Sequence, residues 1–445
     1  MTAAATPGWA GAPVLARTTE WSAPVALSSC PVSGAPRVVF PSDAPDHSTG
    51  LGAVVWAAGA RCPIGAGAKI DPVGPDTVPE PPRSPPSSGG RPLRPAAPLS
   101  VATAPHGLIA IAGTDPLESS RGLLIQGRAA GRFSTVKTGG GLSRQAALST
   151  AYLGDLGLLA GAGANASTGL VVEVERWFAR RAGRRALIGQ AAGGRPVMLA
   201  MDYRSDTLAV WSRNGGLYAR DLPASGVEHR SQRLGPAGSE PHVAALLSDD
   251  NRAIVLWSVS GPSGTRVFLD YSAPGVRFGA PRLLESFADP GGVASPAGSP
   301  QLVRLSSESV MAAWNGASGG HWVLRTAPID QRGMQSVSTI AAPAGEALLS
   351  ALAPGPRNEA VMLWTEPELT PSGAPDLSRR RLMAARGSEF APGATRFGGP
   401  ELVAPPGPVS GATLAVDPES DRALAVWVGE HGSLHYSVRP SAPSG

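Results

Sequence analysis

The chain is poor in lysine. Of its 38 basic residues only Lys69 and Lys137 are lysines, and the rest are arginines. Charged residues of both signs make up 16%, and the formal net charge is +4. So small a charge on 445 residues excludes the basic surface that a nucleic-acid partner requires. Long apolar runs are missing too, so no membrane span is expected. The opening stretch "MTAAATPGWAGAPVLARTTEW" lacks a basic start and a continuous apolar core, so it is not a signal peptide. Taken literally, that start places the protein in the cytoplasm. No GxSxG, Walker A or GxGxxG in a strand–turn–helix setting occurs, and no HExxH. No cofactor and no metal are expected. With two cysteines there is neither a disulfide-dense scaffold nor a zinc or CxxC spacing.

What the chain has is glycine (56) and proline (45), the composition of an all-β protein with many turns. Its tryptophans set a frame. Trp56, Trp211, Trp257, Trp314, Trp364 and Trp427 each close a short apolar run, such as "GAVVW", "IVLW" or "LAVW". The last four intervals are 46, 57, 50 and 63 residues. The gap of 155 residues between Trp56 and Trp211 holds two more such runs, with Ala112 and Ala160 in the tryptophan position. Eight equivalent strands result.

Each of these B strands is preceded by another apolar strand, A, across a turn rich in Asp, Asn and Ser, as in "LAVDPESDRALAVW". A third, C, follows with alternating apolar residues ("TRVFLDYS", "LHYSVRP"). A fourth, D, reads aromatic–small–small–Pro–x–apolar–apolar: "RFGAPRLLE" from Arg277 and "RFGGPELVA" from Arg396. Proline is tolerated in a strand only at an edge, so D is the outermost strand.

Four strands per repeat of about 50 residues is the signature of a β-propeller. The D pattern also appears at the start, in "EWSAPVALS" with Trp21 and Pro24, and the chain ends on a C strand with no D after it. The expected fold is therefore all-β: a single propeller domain over residues 1–445, with about eight four-stranded blades and seven as the next count. The N-terminal strand completes the C-terminal blade and removes the open edges. Residues 71–99, with ten prolines, read as an extended or disordered insertion where strand D of blade one is due. The repeat resembles the degenerate propeller repeats of bacterial extracellular proteins. The Asp-boxes and Arg-Ile-Pro motif of sialidases are absent, as is the GH…WD signature of WD40 repeats, so no active site carries over from any family.

Cys30 lies six residues before Pro36, where strand A of blade one begins, and Cys62 lies five after Ala57, at the end of strand B. The two chain positions meet at one edge of a hairpin, so a disulfide is expected. That bridge argues for an extracellular or periplasmic location.

The repeated tryptophans read as packing between blades, while Trp9, Trp177 and Trp322 fall outside the register and are candidate exposed aromatics. Asp43, Asp46, Asp202, Asp206, Asp249, Asp250, Asp417 and Asp421 read as turn caps. "RWFARRAGRR" at Arg176–Arg185 and the run Arg379–Arg381 read as solvated C–D hairpins. His431 and His435 have the only close histidine spacing, without a third ligand. The face made by the D–A and B–C loops is the candidate ligand face, with Arg213, Asn214, Asn315, His321, Glu366, Glu430 and His431 lining it. The function expected is a monomeric, non-catalytic, lectin-like propeller binding a glycan or a protein. The alternative is a sialidase-like or other glycoside-active enzyme with two carboxylates on that face, drawn from Asp289, Glu366, Glu368 and Glu430.

Overall fold

The computed structural model describes residues 21–28, 31–40, 42–44, 47–48, 52–58, 67–73, 96–104, 107–115, 122–128, 133–136, 142–150, 155–163, 170–178, 181–189, 195–226, 229–238, 241–248, 251–272, 277–290, 300–340, 346–388 and 397–440. Their strands pair into eight sheets, with a small extra hairpin of Ser42–Ala44 and His47–Ser48.

Within each sheet the order is A-B-C-D. Blade one holds Arg37–Val39, Gly52–Ala58 and Gly67–Val73, three strands among the described residues. The other seven are four-stranded. Blade two is Ala96–Ala104, Leu108–Thr114, Gly122–Arg128 and Ser134–Thr135; blade three is Leu142–Thr150, Leu156–Gly163, Leu170–Phe178 and Arg181–Gly189. Blade four is Arg195–Met201, Thr207–Arg213, Gly216–Leu222 and Gln232–Pro236; blade five is His242–Leu247, Ala253–Gly261, Gly264–Ser272 and Arg282–Phe287. In blade six, Gln301–Arg304, Val310–Ser318 and His321–Asp330 are followed by a split outer strand, Gly333–Met334 and Ser338–Ile340. Blade seven is Leu348–Gly355, Glu359–Leu369, Pro375–Ser388 and Glu401–Gly407. Blade eight takes Ser410–Val416, Ala423–Val428 and Leu434–Arg439 from the end of the chain and Val25–Ser28 from its start.

The core is not central. It is divided among the eight interfaces between successive blades, and each interface has its own apolar cluster. The cluster of Val54, Trp56, Leu424 and Tyr436 joins blade one to blade eight and closes the ring. The chain is a β-propeller. Because strand B is covered by a neighbour on both sides, its residues are buried without alternation, as in Gly52–Ala58 and Thr207–Ser212. The repeated tryptophans lie in these interfaces, each facing a residue of strand C. Trp211 stacks on Tyr218, Trp257 on Phe268 and Trp427 on His435, with ring centroids 5.3–5.9 Å apart.

The A–B turns behave as capped turns. Asp202 Oδ1 accepts hydrogen bonds from the backbone N–H groups of Arg204 and Asp206, and Asp417 accepts from Glu419 N and Ser420 Oγ. Ser205 and Asp421 take left-handed backbone angles in these turns. The side chains of Asp43, Asp46, Asp249 and Asp250 lie outside the described residues, as do Trp9, Cys30, Cys62 and the side chain of Trp177.

Ring closure follows the expected permutation. Val25 pairs with Tyr436 and Ala26 with His435. Ser22 N donates to Val438 O at 2.8 Å, and Val438 N donates to Ser22 Oγ at 3.0 Å. Pro24, Pro281 and Pro400 each stand immediately before an outermost strand, where no ladder bond is lost.

Three expectations are corrected. The stretch 71–99 is not wholly an insertion: residues 71–73 end strand C of blade one and 96–99 begin strand A of blade two, while 74–95 lie outside the described residues. Trp322 is not an exposed aromatic. It is fully buried, its ring edge-on to Phe287 at 5.6 Å, because it is the second residue of a C strand covered by the neighbouring blade. Arg379–Arg381 is not a solvated hairpin but the middle of strand C of blade seven, and each arginine there faces a glutamate. The run at 176–185 does form the C–D hairpin of blade three, with Phe178 paired to Arg181.

Candidate ligand face

In an up-and-down blade the B–C hairpins and the D–A crossings share one end, and the A–B hairpins lie at the other. The tips of the B–C hairpins put Asn214, His321, Glu430 and His431 on the first of these ends, all exposed. Asn214 and His431 hold positive φ angles of 47° and 56°, which turn the chain sharply and push both side chains outward. Arg213, at the base of its hairpin, is half-buried.

Asn315 and Glu366 do not belong with them. Asn315 is buried beside Trp314. Its Nδ2 donates to Ala347 O at 2.8 Å and its Oδ1 accepts from Leu349 N at 3.1 Å, so it ties strand B of blade six to the entry of blade seven. Glu366 is buried because strands B and C of blade seven run on to Leu369 and Pro375, which carries the hairpin tip past it. Its carboxylate accepts from Trp364 Nε1 at 2.8 Å and from Arg381 Nη2 at 2.7 Å and Nε at 3.0 Å.

That Trp–Glu–Arg arrangement occurs three times. Glu285 on the outer strand of blade five accepts from Trp314 Nε1 and from Arg325 Nη2 of blade six, each at 3.1 Å. Glu401 on the outer strand of blade seven accepts from Trp21 Nε1 at 3.1 Å and from Arg439 Nη2 at 3.3 Å, both of blade eight. Repeat reasoning locates the tryptophans but not the glutamates, two of which come from the outer strand of the preceding blade and one from strand B of the same blade.

The remaining acidic candidates on the ligand face are also engaged. Asp289 Oδ1 accepts from Thr265 Oγ1 at 2.7 Å, Glu368 pairs with Arg379 at 3.0 Å, and Glu430 lies 3.4 Å from the His431 imidazole. His435 is apart from His431: it is half-buried against Trp427 and bonded to Ser433 Oγ at 2.8 Å, and burial holds its pKa below the usual value. Among the described residues no group of three or more His, Cys, Asp or Glu is placed to hold a metal ion. No helix among them is long and apolar enough to cross a membrane.

Two charged groups stand out that sequence reading did not single out. Asp270, in strand C of blade five, is buried with no ionic partner among the described residues, and desolvation pushes its pKa up to about 6. Arg37, the first residue of the innermost strand of blade one, has its pKa lowered by enclosure. Its only sequence signal is a cation opening an otherwise apolar strand, "RVVF".

No protein-family model and no curated relative matches the chain. Among solved structures, prolyl endopeptidases studied for inter-domain dynamics align at 13% identity with a TM-score of 0.42, covering 78% of this chain. The chain spans about half the length of those proteins. An ulvan lyase of polysaccharide lyase family PL25 aligns at 11% identity and TM-score 0.48, covering 92% of this chain and 94% of the other. An α-L-arabinofuranosidase of Fusarium graminearum aligns at 10% and 0.41, covering 95% and 98%. These likenesses define no site, and the propeller fold rests on the strand pairing above.

Proposed function

We propose that the chain is a monomeric ligand-binding propeller without catalytic activity, with a glycan or a protein as its ligand. The ligand face is the end bearing the B–C hairpins. The observation that carries this reading is that the carboxylates available there for acid–base work are committed elsewhere. Glu366, the most buried of them, is held by Trp364 and Arg381. Asp289 and Glu368 are bonded to a threonine and an arginine. A glycosidase needs two carboxyl groups about 5–10 Å apart across a substrate, free to exchange protons. What projects from this end instead is a polar rim around Asn214, His321 and His431, the kind of surface that recognises through hydrogen bonds.

A glycan array probed with the full chain tests this. Binding to a defined glycan class, lost in the triple variant Asn214→Ala/His321→Ala/His431→Ala with an unchanged melting temperature, supports the reading. Turnover of any arrayed glycan overturns it. We further propose the Cys30–Cys62 bridge and, with it, a location outside the cytoplasm. In its favour, the nearest described neighbours are adjacent: Val32 and Ala58 form an antiparallel bridge, and Ser33 N donates to Ala57 O at 2.8 Å.

A further inference from the structure

The chain has five asparagines, and two of them, Asn214 and Asn315, precede a glycine. In such a pair the backbone nitrogen of the glycine can attack the side-chain carbonyl of the asparagine, because the second residue has no side chain to hinder the approach. The fold puts the two pairs in opposite settings.

Asn214 and Gly215 are the turn residues of the B–C hairpin of blade four, between Arg213 and Gly216, which pair across the strands. Both are exposed, and their φ angles of 47° and 69° are the two positive values that a type I′ turn requires. In that turn the residue after Gly215 donates the closing hydrogen bond, so the Gly215 N–H is not used in it. The Gly215 carbonyl is tied instead, by Ala237 N at 2.8 Å. A Cβ built on Gly215 would meet nothing within 4 Å. Solvent therefore reaches both reacting groups.

Asn315 has the same neighbour and the contrary environment. It is buried, its Nδ2 donates to Ala347 O and its Oδ1 accepts from Leu349 N. Gly316 lies within strand B of blade six, paired with Val323, and a Cβ there would stand 2.6 Å from Glu285 Oε2. Turning the Asn315 amide onto the Gly316 nitrogen would break both of its hydrogen bonds and leave buried polar groups unpaired.

We propose that Asn214 is a site of spontaneous deamidation, which converts a neutral amide at the tip of a B–C hairpin into a carboxylate. The Gly215 nitrogen loses its proton to solvent base and attacks Asn214 Cγ. The Cγ–Nδ2 bond breaks, ammonia leaves, and a cyclic succinimide joins the two residues. Water then opens the ring at either carbonyl. Opening at Cγ gives aspartate. Opening at the backbone carbonyl gives isoaspartate, with the main chain rerouted through the side chain. One water is consumed and one ammonia released, with no oxidant or cofactor. Either product adds a negative charge to this end of the propeller, and isoaspartate also lengthens a turn whose geometry sets the hairpin register. The reaction is independent of whether this end binds a ligand.

The test is incubation of the folded full chain at pH 8, followed by peptide mass mapping and by methyl transfer from an isoaspartate-specific methyltransferase. Acid should accumulate at position 214 at least tenfold faster than at position 315, and more slowly at pH 6, because the attacking nitrogen must first lose its proton. In guanidinium-unfolded protein the two sites should convert at similar rates, which makes the fold and not the dipeptide the cause of the difference. Asn214→Gly suits the positive φ angle and should abolish the isoaspartate signal of the folded protein. If that variant does not fold, the peptide map of the wild type decides alone. Equal conversion of the two sites in the folded chain overturns the proposal. So does an intact Asn214 over a time in which the unfolded chain converts, or an isoaspartate signal that persists in folded Asn214→Gly.

Discussion

Blades five and seven each reach the next blade with a glutamate on the outer strand, and the two clasps differ instructively. Glu285 takes an indole N–H and an arginine from blade six, at the B–C end. Glu401 takes the same two groups from blade eight, at the other end. The first clasp joins residues within about 40 positions of each other, while the second gathers Trp21 and Arg439 from opposite ends of the chain. The first is also drier: the Glu285 side chain is 17% exposed and that of Glu401 is 35%. The same donor set serves both as an ordinary inter-blade contact and as the lock of the ring. Where loop entropy is highest, however, it is built from the less protected carboxylate.

The largest expected effect comes from breaking the second clasp at its root. A chain lacking residues 1–28 loses Trp21 and the outer strand of blade eight, exposing the edge of Leu434–Arg439. Stability to urea should fall by about 4–6 kcal/mol, from the lost hydrogen bonds and buried indole together. Next comes the proposed Cys30–Cys62 bridge beside that closure. Unfolded, unreduced protein should show no free thiol, and reduction should cost about 3 kcal/mol by the chain-entropy model. Two free thiols would remove the bridge.

Glu285→Ala strands Arg325 and the Trp314 indole in a mostly dry interface and should cost about 2–3 kcal/mol. Glu401→Ala should cost about 1 kcal/mol, because water reaches its site. Equal losses in urea melts would mean that the difference in exposure carries no weight. Gly316→Ala sharpens the comparison further. Its Cβ would stand 2.6 Å from Glu285 Oε2, so it should reproduce most of the Glu285→Ala loss without touching the carboxylate.

Blade five also carries a weakness that blade eight lacks. Asp270 occupies the strand C position filled by Ala327, Ala385 and Ser437 in blades six, seven and eight. Its carboxyl titrates at about 6 in the folded protein against 3.8 when solvated. A raised carboxylate means the native state holds the proton more tightly. This group's contribution to stability is complete below pH 3.8 and is lost as the pH rises through about 6. Asp270→Asn should therefore match the wild type at low pH and exceed it by about 1–3 kcal/mol at pH 8. Thermal melts across that range check it, and a constant difference between the two proteins would contradict the assignment.

The repeat was legible because its markers are residues with one physical use. A tryptophan at the end of strand B fills a gap between blades, and a proline before strand D fits nowhere but an edge. Trp21 with Pro24 therefore revealed the closure from sequence. Side-chain direction was not legible. Asn315 and Glu366 fell in the right stretch for the ligand face, but strand B is covered on both sides, and a hairpin longer than its siblings moved the tip past Glu366. The strand C partners of the tryptophans were hidden as well, because Tyr218, Phe268, Arg325, Met383 and His435 share a position without sharing a chemistry.

Ring closure by the two chain ends is the claim on which the clasps, the interfaces and the ligand face all depend. Ala26 and His435 are directly paired across strands, at a spacing that a disulfide can span. Cysteines at these two positions, with Cys30 and Cys62 replaced by serine, should oxidise within one molecule to a faster-migrating monomer on a non-reducing gel. Thiols that stay free, or that link only one molecule to another, would contradict the closure.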